Sequence, residues 1–528
     1  MSIRLRTLTA YSYGIKVDAI KNKLKSYNDE DFLKNLFTHF QSIREPKVGV
    51  VSNFPWCCFL AMKWKFVEKT KNPTQRMTYD EFIKIINRIY DLQSEASSFG
   101  IGDRLILSIR RMMINQLLYQ QSDKFNYSSL GRQFLWYCEG DDFYENLFYE
   151  TTGLHLNNYY QMASYLIIIG SINDKIESEL IPLKLFILHL VPKFGAEQVK
   201  KFLSLVSLRP EELRGYFSKY KRERNVTVEY YEDTPIVSKP LILTEEGVTI
   251  NCKRLMKAGL VSLVPDLLKA QKSKYKIKFG RTLEDFVSGI LIHYSYDFLR
   301  ETDIKKEYRR HKLAGMSIDF LVSEPDGKVF IDCKAIEPGA YIKTSNDPNK
   351  LQERLESSFI KGIVQGEECA SLINSISSFP HDSKLSIIIV VHRDHFISTG
   401  VDVENMIQPG LFERIRLGNG EVLVDPKRIY YITIDEFEHL LGICREKSIS
   451  INNFIDHCVN NDSSPITKKA SITMHMSEIQ PEGVKDLDSI RQAADKMTDD
   501  IFEVIKDSSS IWSGRVEEYM AIKAYILR

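Results

Sequence analysis

The chain has 528 residues, 43% of them hydrophobic and 27% charged, with 71 Lys and Arg against 70 Asp and Glu for a formal net charge of +1. That length exceeds one ordinary core, so two or three domains are expected. The charge balance excludes a molecule-wide basic field, and any nucleic-acid surface must be a local patch.

The opening residues, MSIRLRTLTAYSYGIK, contain no apolar signal core. Residues 1–235 follow a helical pattern rich in aromatics, with few Gly or Pro to interrupt it, and are expected to form an all-α N-terminal domain. Examples are residues 53–64, 142–149 and 157–170. Aromatics at this spacing are expected in the core rather than on a base-stacking surface. Cys57 and Cys58 sit in one of these apolar runs. The eight Cys include no CxxC pair and the 11 His show no zinc spacing, so buried thiols in a cytoplasmic protein are expected. The apolar runs at residues 165–170 and 180–191 are too short or too interrupted to cross a bilayer. Residues 219–224, Lys-Tyr-Lys-Arg-Glu-Arg, suit a solvated helix end, where cations complement the dipole.

Pro235 and Pro240 then break the pattern. Short strands at 241–243 and 248–250 and a helix over 251–268 lead into a second domain, assigned to residues 236–460. From residue 282 a helix is expected, capped by Thr282, with apolar positions 283, 286, 287, 290, 291 and 294 on one stripe. Glu284 lies at the rim of that stripe and Asp285 faces water. Residues 305–312 then supply Lys305, Lys306, Arg309, Arg310, His311 and Lys312, a basic run immediately upstream of the most informative stretch.

That stretch is residues 317–335, SIDFLVSEPDGKVFIDCKA. A strand over 318–322, a Glu324-Pro325-Asp326-Gly327 turn of type I chemistry and a strand over 328–334 make a hairpin. Alternation points Asp332 and Lys334 the same way and Cys333 the other, toward the core. Asp319 is carried to the same end. Two carboxylates and an ammonium thus converge at the edge of an apolar ribbon, which packing alone does not require. A loop over 338–349 and a helix over 351–377 follow, the helix bearing Gln352, Lys361 and Gln365. Lys361 and Gln365 share a face at i,i+4. Residues 385–391 read as a strand buried on both faces, and residues 428–434 as another, followed by a helix from Asp435. His392, Arg393, Asp394 and His395 fit a hydrogen-bonded loop rather than a metal site. Residues 460–465 read as a linker and 461–528 as a helical C-terminal region, clearest over 486–506.

Asp319, then Asp332-Cys333-Lys334, with Glu284 as a helical acid, resembles the PD-(D/E)xK nuclease superfamily over residues 280–433. The resemblance implies an α/β fold, a restriction-endonuclease-like mixed sheet flanked by helices, and a Mg²⁺- or Mn²⁺-dependent endonuclease. It implies metal ligation by Asp319, Asp332 and the backbone carbonyl of Cys333. Lys334 would orient the attacking water or stabilise developing charge, and Glu284 would hold a second metal or a water. Lys305, Lys306, Arg309, Arg310, Lys312, Lys361 and Gln365 are the expected contacts to nucleic acid, with DNA favoured over RNA. A double-strand cut would need a homo-oligomer or a partner subunit. By analogy the setting is bacterial anti-phage defence. Three other classes stay open: a catalytically silent binding module on this fold, a nuclease subunit of a transposition or repair complex, and an interaction protein whose helical domain does the work.

Overall fold

The helix Pro55–Val67 shows why the first part of the chain folds as it does. Proline at its first turn needs no backbone partner, and every residue from Pro55 to Phe66 is buried. A helix apolar on all sides must sit in the middle of a bundle. Its two lysines are paired inside: Lys63 with Glu229 at 2.7 Å and Lys65 with Asp29 at 2.8 Å.

The computed structural model describes residues 2–41, 53–97, 105–120, 123–140, 142–173, 175–270, 273–336, 338–377, 379–380, 383–464, 466–469 and 471–528. The chain is mixed α/β and divides into two units, residues 1–271 with 488–528, and residues 272–487. The boundaries therefore differ from those expected near 235 and 460. No described helix is long and apolar enough to cross a membrane.

The first unit is not all-α. It holds a sheet of order β1-β4-β3-β2, made of Glu179–Pro182 (β1), Ser207–Leu208 (β2), Leu241–Leu243 (β3) and Gly247–Ile250 (β4). Runs of two to four residues are too short to show a period of two, so β1 and β2 were hidden in apolar sequence. Pairing with them draws β3 and β4, expected as a connector to the second domain, into the first. The tail returns here as well. Helix Asp488–Ile511 buries Ile490, Ala493, Ala494, Met497 and Ile501, an i, i+3, i+4, i+7 stripe. It packs on helix Asp123–Cys138, where a Cβ on Gly131 would stand 2.8 Å from the Ile490 carbonyl oxygen. Residues 219–224 are exposed after helix Leu213–Ser218, as a solvated helix end should be.

The second unit is built on five strands in the order β5-β6-β7-β8-β9: Phe298–Arg300 (β5), Phe320–Glu324 (β6), Gly327–Lys334 (β7), Lys384–Val391 (β8) and Ile429–Thr433 (β9). β5, β6 and β7 pair antiparallel; β7, β8 and β9 pair parallel. The hairpin forms, with Glu324 opposite Gly327 and Pro325-Asp326 between them, but its first strand runs from Phe320 to Glu324 rather than over 318–322, leaving Asp319 just before it. A Cβ on Gly327 would lie 1.8 Å from the Lys384 carbonyl oxygen, so only glycine lets β8 approach there. Helix Lys361–Ile376 covers the face bearing Ile387 and Ile389. Cβ atoms on Gly366 and Gly362 would meet those side chains at 2.7 and 2.8 Å. On the opposite face Ser386 Oγ donates to Asn452 Oδ1 at 2.7 Å, bringing in helix Ile451–Asp462, with Ile434–Lys447 and Ser273–His293 beside it.

Three local expectations are corrected. Thr282 caps nothing: the helix begins at Ser273, because Tyr275 and Phe279 extend its buried stripe and Gly280 faces open space without breaking it. Thr282 Oγ1 instead donates to the Lys278 carbonyl at 3.2 Å. The loop over 338–349 contains the short helix Ala340–Thr344, and the long helix after it comprises Pro348–Leu355, a π turn at Glu356–Ile360 and Lys361–Ile376. The linker at 460–465 is partly helical, since Ile451–Asp462 runs into it, and helix Ile472–Ile479 stays with the second unit.

Candidate active site

The β6–β7 register decides where the acids meet. Phe320 pairs with Ile331, so one residue further Asp319 stands across from Asp332. Asp319 is tied down twice. Its Oδ2 accepts the Cys333 N–H at 2.6 Å, and its carbonyl accepts the Glu301 N–H at 2.8 Å. Asp332 is 2% exposed and ion-paired with Lys334 Nζ at 2.5 Å. The cluster lies at the C-terminal end of β7, beside its parallel neighbour β8. This is the sheet edge where α/β proteins gather polar function.

A chain of contacts fixes the ammonium. Lys334 Nζ donates to Gln365 Oε1 at 2.9 Å, and Gln365 Nε2 donates to the Ser317 carbonyl at 3.3 Å. Ser317 Oγ donates to Glu301 Oε1 at 3.0 Å, which also accepts from Lys305 Nζ at 2.6 Å. The contact with Lys334 thereby selects Gln365 from Gln352, Lys361 and Gln365. Lys361, one turn earlier, is exposed and near enough to favour an ionised Asp332. Gln352 sits on the separate helix Pro348–Leu355.

The electrostatics follow from burial. Desolvation pushes the Asp319 carboxyl up to about 7, helped by the Asp332 and Glu284 charges and opposed by the Cys333 N–H and Lys334. Burial also raises Asp332, against the pull of Lys334. Glu284, half-buried, is raised first by burial and then by Glu301, Asp285 and Asp332. Asp285 is exposed. Cys333 is intermediate in exposure as a residue, while its thiol is buried, as expected for a side chain turned from Asp332 and Lys334. Desolvation and the charges of Asp319, Asp332 and Glu284 hold its thiol protonated, so it offers no thiolate.

The basic run is exposed along helix Glu301–Arg310 and the residues after it. Lys305, Lys306 and Arg310 pair with Glu301, Asp303 and Glu307 of their own helix at 2.6, 2.8 and 2.6 Å. Arg309 Nε donates to the Lys305 carbonyl at 3.2 Å, and Lys312 takes a left-handed backbone, φ 55°. Exposed pairs of this kind are screened by water and hold the cations only weakly. His392 is buried with its ring 4.8 Å from Phe279. His395 Nδ1 meets the Arg393 carbonyl at 2.9 Å, so this segment is a hydrogen-bonded loop.

Glu301 escaped the sequence reading, which saw the cations of its helix and not the acid that opens it. Its i,i+4 spacing to Lys305 was the available signal. Gly362 was also missed; a Cβ there would lie 3.3 Å from Asp332 Oδ2.

The donor set is hard oxygen. Buried Asp332 and part-buried Asp319, each raised in proton affinity by desolvation, fit a divalent cation that would neutralise them. No three carboxylates of the cluster bring ligand atoms within 4.8 Å of one another. Two carboxylates with water completing the shell are a donor set of the hard-oxygen type that divalent cations take. Compared with known proteins, the chain matches no family model, no curated protein and no solved structure. Fold and site define a mixed α/β unit with a carboxylate–lysine cluster at the end of its central strands.

Proposed function

We propose that this protein is a metal-dependent nuclease of the PD-(D/E)xK kind, hydrolysing phosphodiester bonds, with DNA the favoured substrate. One observation carries the reading: Asp319 stands across from Asp332 at a strand end, with Lys334 on the face of Asp332 and held by Gln365. A sheet that only needed to pack would not bury two like charges against each other.

Asp319 and Asp332, with the Cys333 carbonyl, would hold Mg²⁺, which when bound acidifies a water and acts as a Lewis acid on the phosphate. Lys334 supplies a fixed positive charge where negative charge builds on the phosphoryl oxygens. Gln365 keeps that ammonium from swinging into solvent. Glu284, its proton affinity raised, stands at the rim to take up a proton or a second cation. The cations of residues 305–312 exchange their helix partners for the nucleic-acid backbone.

The test is incubation of the purified chain with supercoiled plasmid, single-stranded DNA and RNA, with Mg²⁺, with Mn²⁺ or with chelator. Cleavage that needs the metal and disappears in Asp332→Ala supports the reading. A wild-type chain that binds DNA and never cuts it would make this a silent member of the fold.

A further inference from the structure

A second cluster with metal-ligand character lies on other elements of the same unit and does not depend on the nuclease reading. His457 is on helix Ile451–Asp462, and His475 and Glu478 are i,i+3 on helix Ile472–Ile479. One ligand atom from each lies within 4.8 Å of the other two. His457 Nε2 is 3.3 Å from Glu478 Oε2, and the two imidazole rings are 6.1 Å apart between centroids. His475 is 1% exposed. Its Nε2 is held by Asp462 Oδ1 at 3.2 Å, and Asp462 Oδ1 in turn accepts the Lys469 N–H at 3.1 Å. Its Nδ1 is buried with no hydrogen-bond partner. Buried imidazole nitrogens are ordinarily satisfied, so this one calls for a ligand. A histidine anchored by a carboxylate through one nitrogen and open at the other is the usual arrangement of a metal ligand with its outer support.

We propose that His457, His475 through Nδ1, and Glu478 bind one divalent transition-metal ion, Zn²⁺ by preference, pinning helix Ile472–Ile479 to helix Ile451–Asp462. Two imidazoles and a carboxylate are a zinc set with a position left for water, and the nitrogens disfavour Mg²⁺ and Ca²⁺. Asn461 now occupies the approach, its Nδ2 lying 3.0 Å from both His457 Nε2 and Glu478 Oε2. Binding turns this amide so that its oxygen faces the ion, and Lys469 Nζ gives up its 3.6 Å contact with Glu478.

The experiment titrates the full metal-free chain with Zn²⁺ by calorimetry and with Co²⁺ by visible absorption, in wild type and in Asp332→Ala. An equivalent giving a low-symmetry Co²⁺ spectrum that persists in Asp332→Ala is expected. Because His475 is buried, the decisive variants are the part-exposed His457→Ala and Glu478→Gln, each of which removes that equivalent and its spectrum. Asp462→Asn weakens Zn²⁺ binding about 10–100-fold. Zn²⁺ raises the melting temperature of wild type and not of His457→Ala. Titrations identical in wild type, His457→Ala and Glu478→Gln overturn the site and leave a hydrogen-bonded contact between two helices.

Discussion

Lys334 and Asp332 touch each other, yet they are assigned different work, and substitution separates the two. On the proposed mechanism Asp332→Ala removes a metal ligand, so Mg²⁺ affinity and cleavage should both be lost. Lys334→Ala leaves the carboxylates in place; metal still binds while turnover falls about 10²–10³-fold, the cost of one transition-state donor. Calorimetry and single-turnover cleavage check both, and wild-type turnover in Lys334→Ala would move the catalytic centre elsewhere. Gln365 acts through Lys334. Gln365→Ala should therefore slow cleavage, and adding it to Lys334→Ala should cost nothing further, since the two share one interaction. Asp319 makes a prediction about stability. Its folded value of about 7 lies above the ordinary 3.8, so the stability it contributes is fully present below about 4 and lost as pH rises through 7. In chelator, Asp319→Asn, which cannot ionise, should melt above wild type at pH 8, by less at pH 5, and close to it only below about pH 4. A gain of about 1 kcal/mol would move the melting point by roughly 2–4 °C. The reverse order at pH 8 would show that the Asp319 charge is well solvated. Asp332, Lys334, Asp319 and Glu284 were all legible from spacing, because a hairpin with clear turn chemistry converts residue number into geometry. Glu301 was not, because its place depends on a backbone bond to Asp319 from another element.

The helix Lys361–Ile376 approaches the sheet through two glycines, and that closeness puts Gln365 within reach of Lys334. Gly362→Val would drive a side chain into Ile389 and toward Asp332 Oδ2. Overpacking of this kind costs about 1–3 kcal/mol, and here it should also reduce cleavage by displacing the helix from Lys334. Thermal melting and cleavage rate together test it; full activity in a destabilised Gly362→Val would separate the helix from the site. The π turn at Glu356–Ile360 precedes this helix without a sequence signal, since nothing in Glu-Ser-Ser-Phe-Ile marks an extra residue per turn.

The first unit is made of two segments far apart in the chain, residues 1–271 and 488–528. Removing residues 488–528 should strip the apolar stripe of helix Asp488–Ile511 from the groove at Gly131, leaving that unit marginal while the second unit still folds. Calorimetry should show the first unit's transition lowered or lost and the second's retained. A truncated chain with both transitions unchanged would mean the tail only decorates the surface. With one carboxylate–lysine cluster proposed as catalytic among the described residues, nicked plasmid should precede linear product unless two copies act together. Gel filtration alongside the plasmid assay tests that pairing.

The sequence by itself determined what is local. Turn chemistry at Pro325 and Gly327, alternation along β7, the apolar run of β8 and the helical stripe around Glu284 all act over a few residues, and each is present in the structure. Tertiary structure decided what local pattern cannot carry. β1 and β2 are too short for a period, so only pairing with β3 and β4 made them strands and moved residues 236–271 into the first unit. The tail's stripe named a helix but not the surface that would bury it. Gln365 was separated from Gln352 and Lys361 only when two glycines brought its helix against the sheet. Helical period says which residues share a face; close packing says which of them reaches the neighbour.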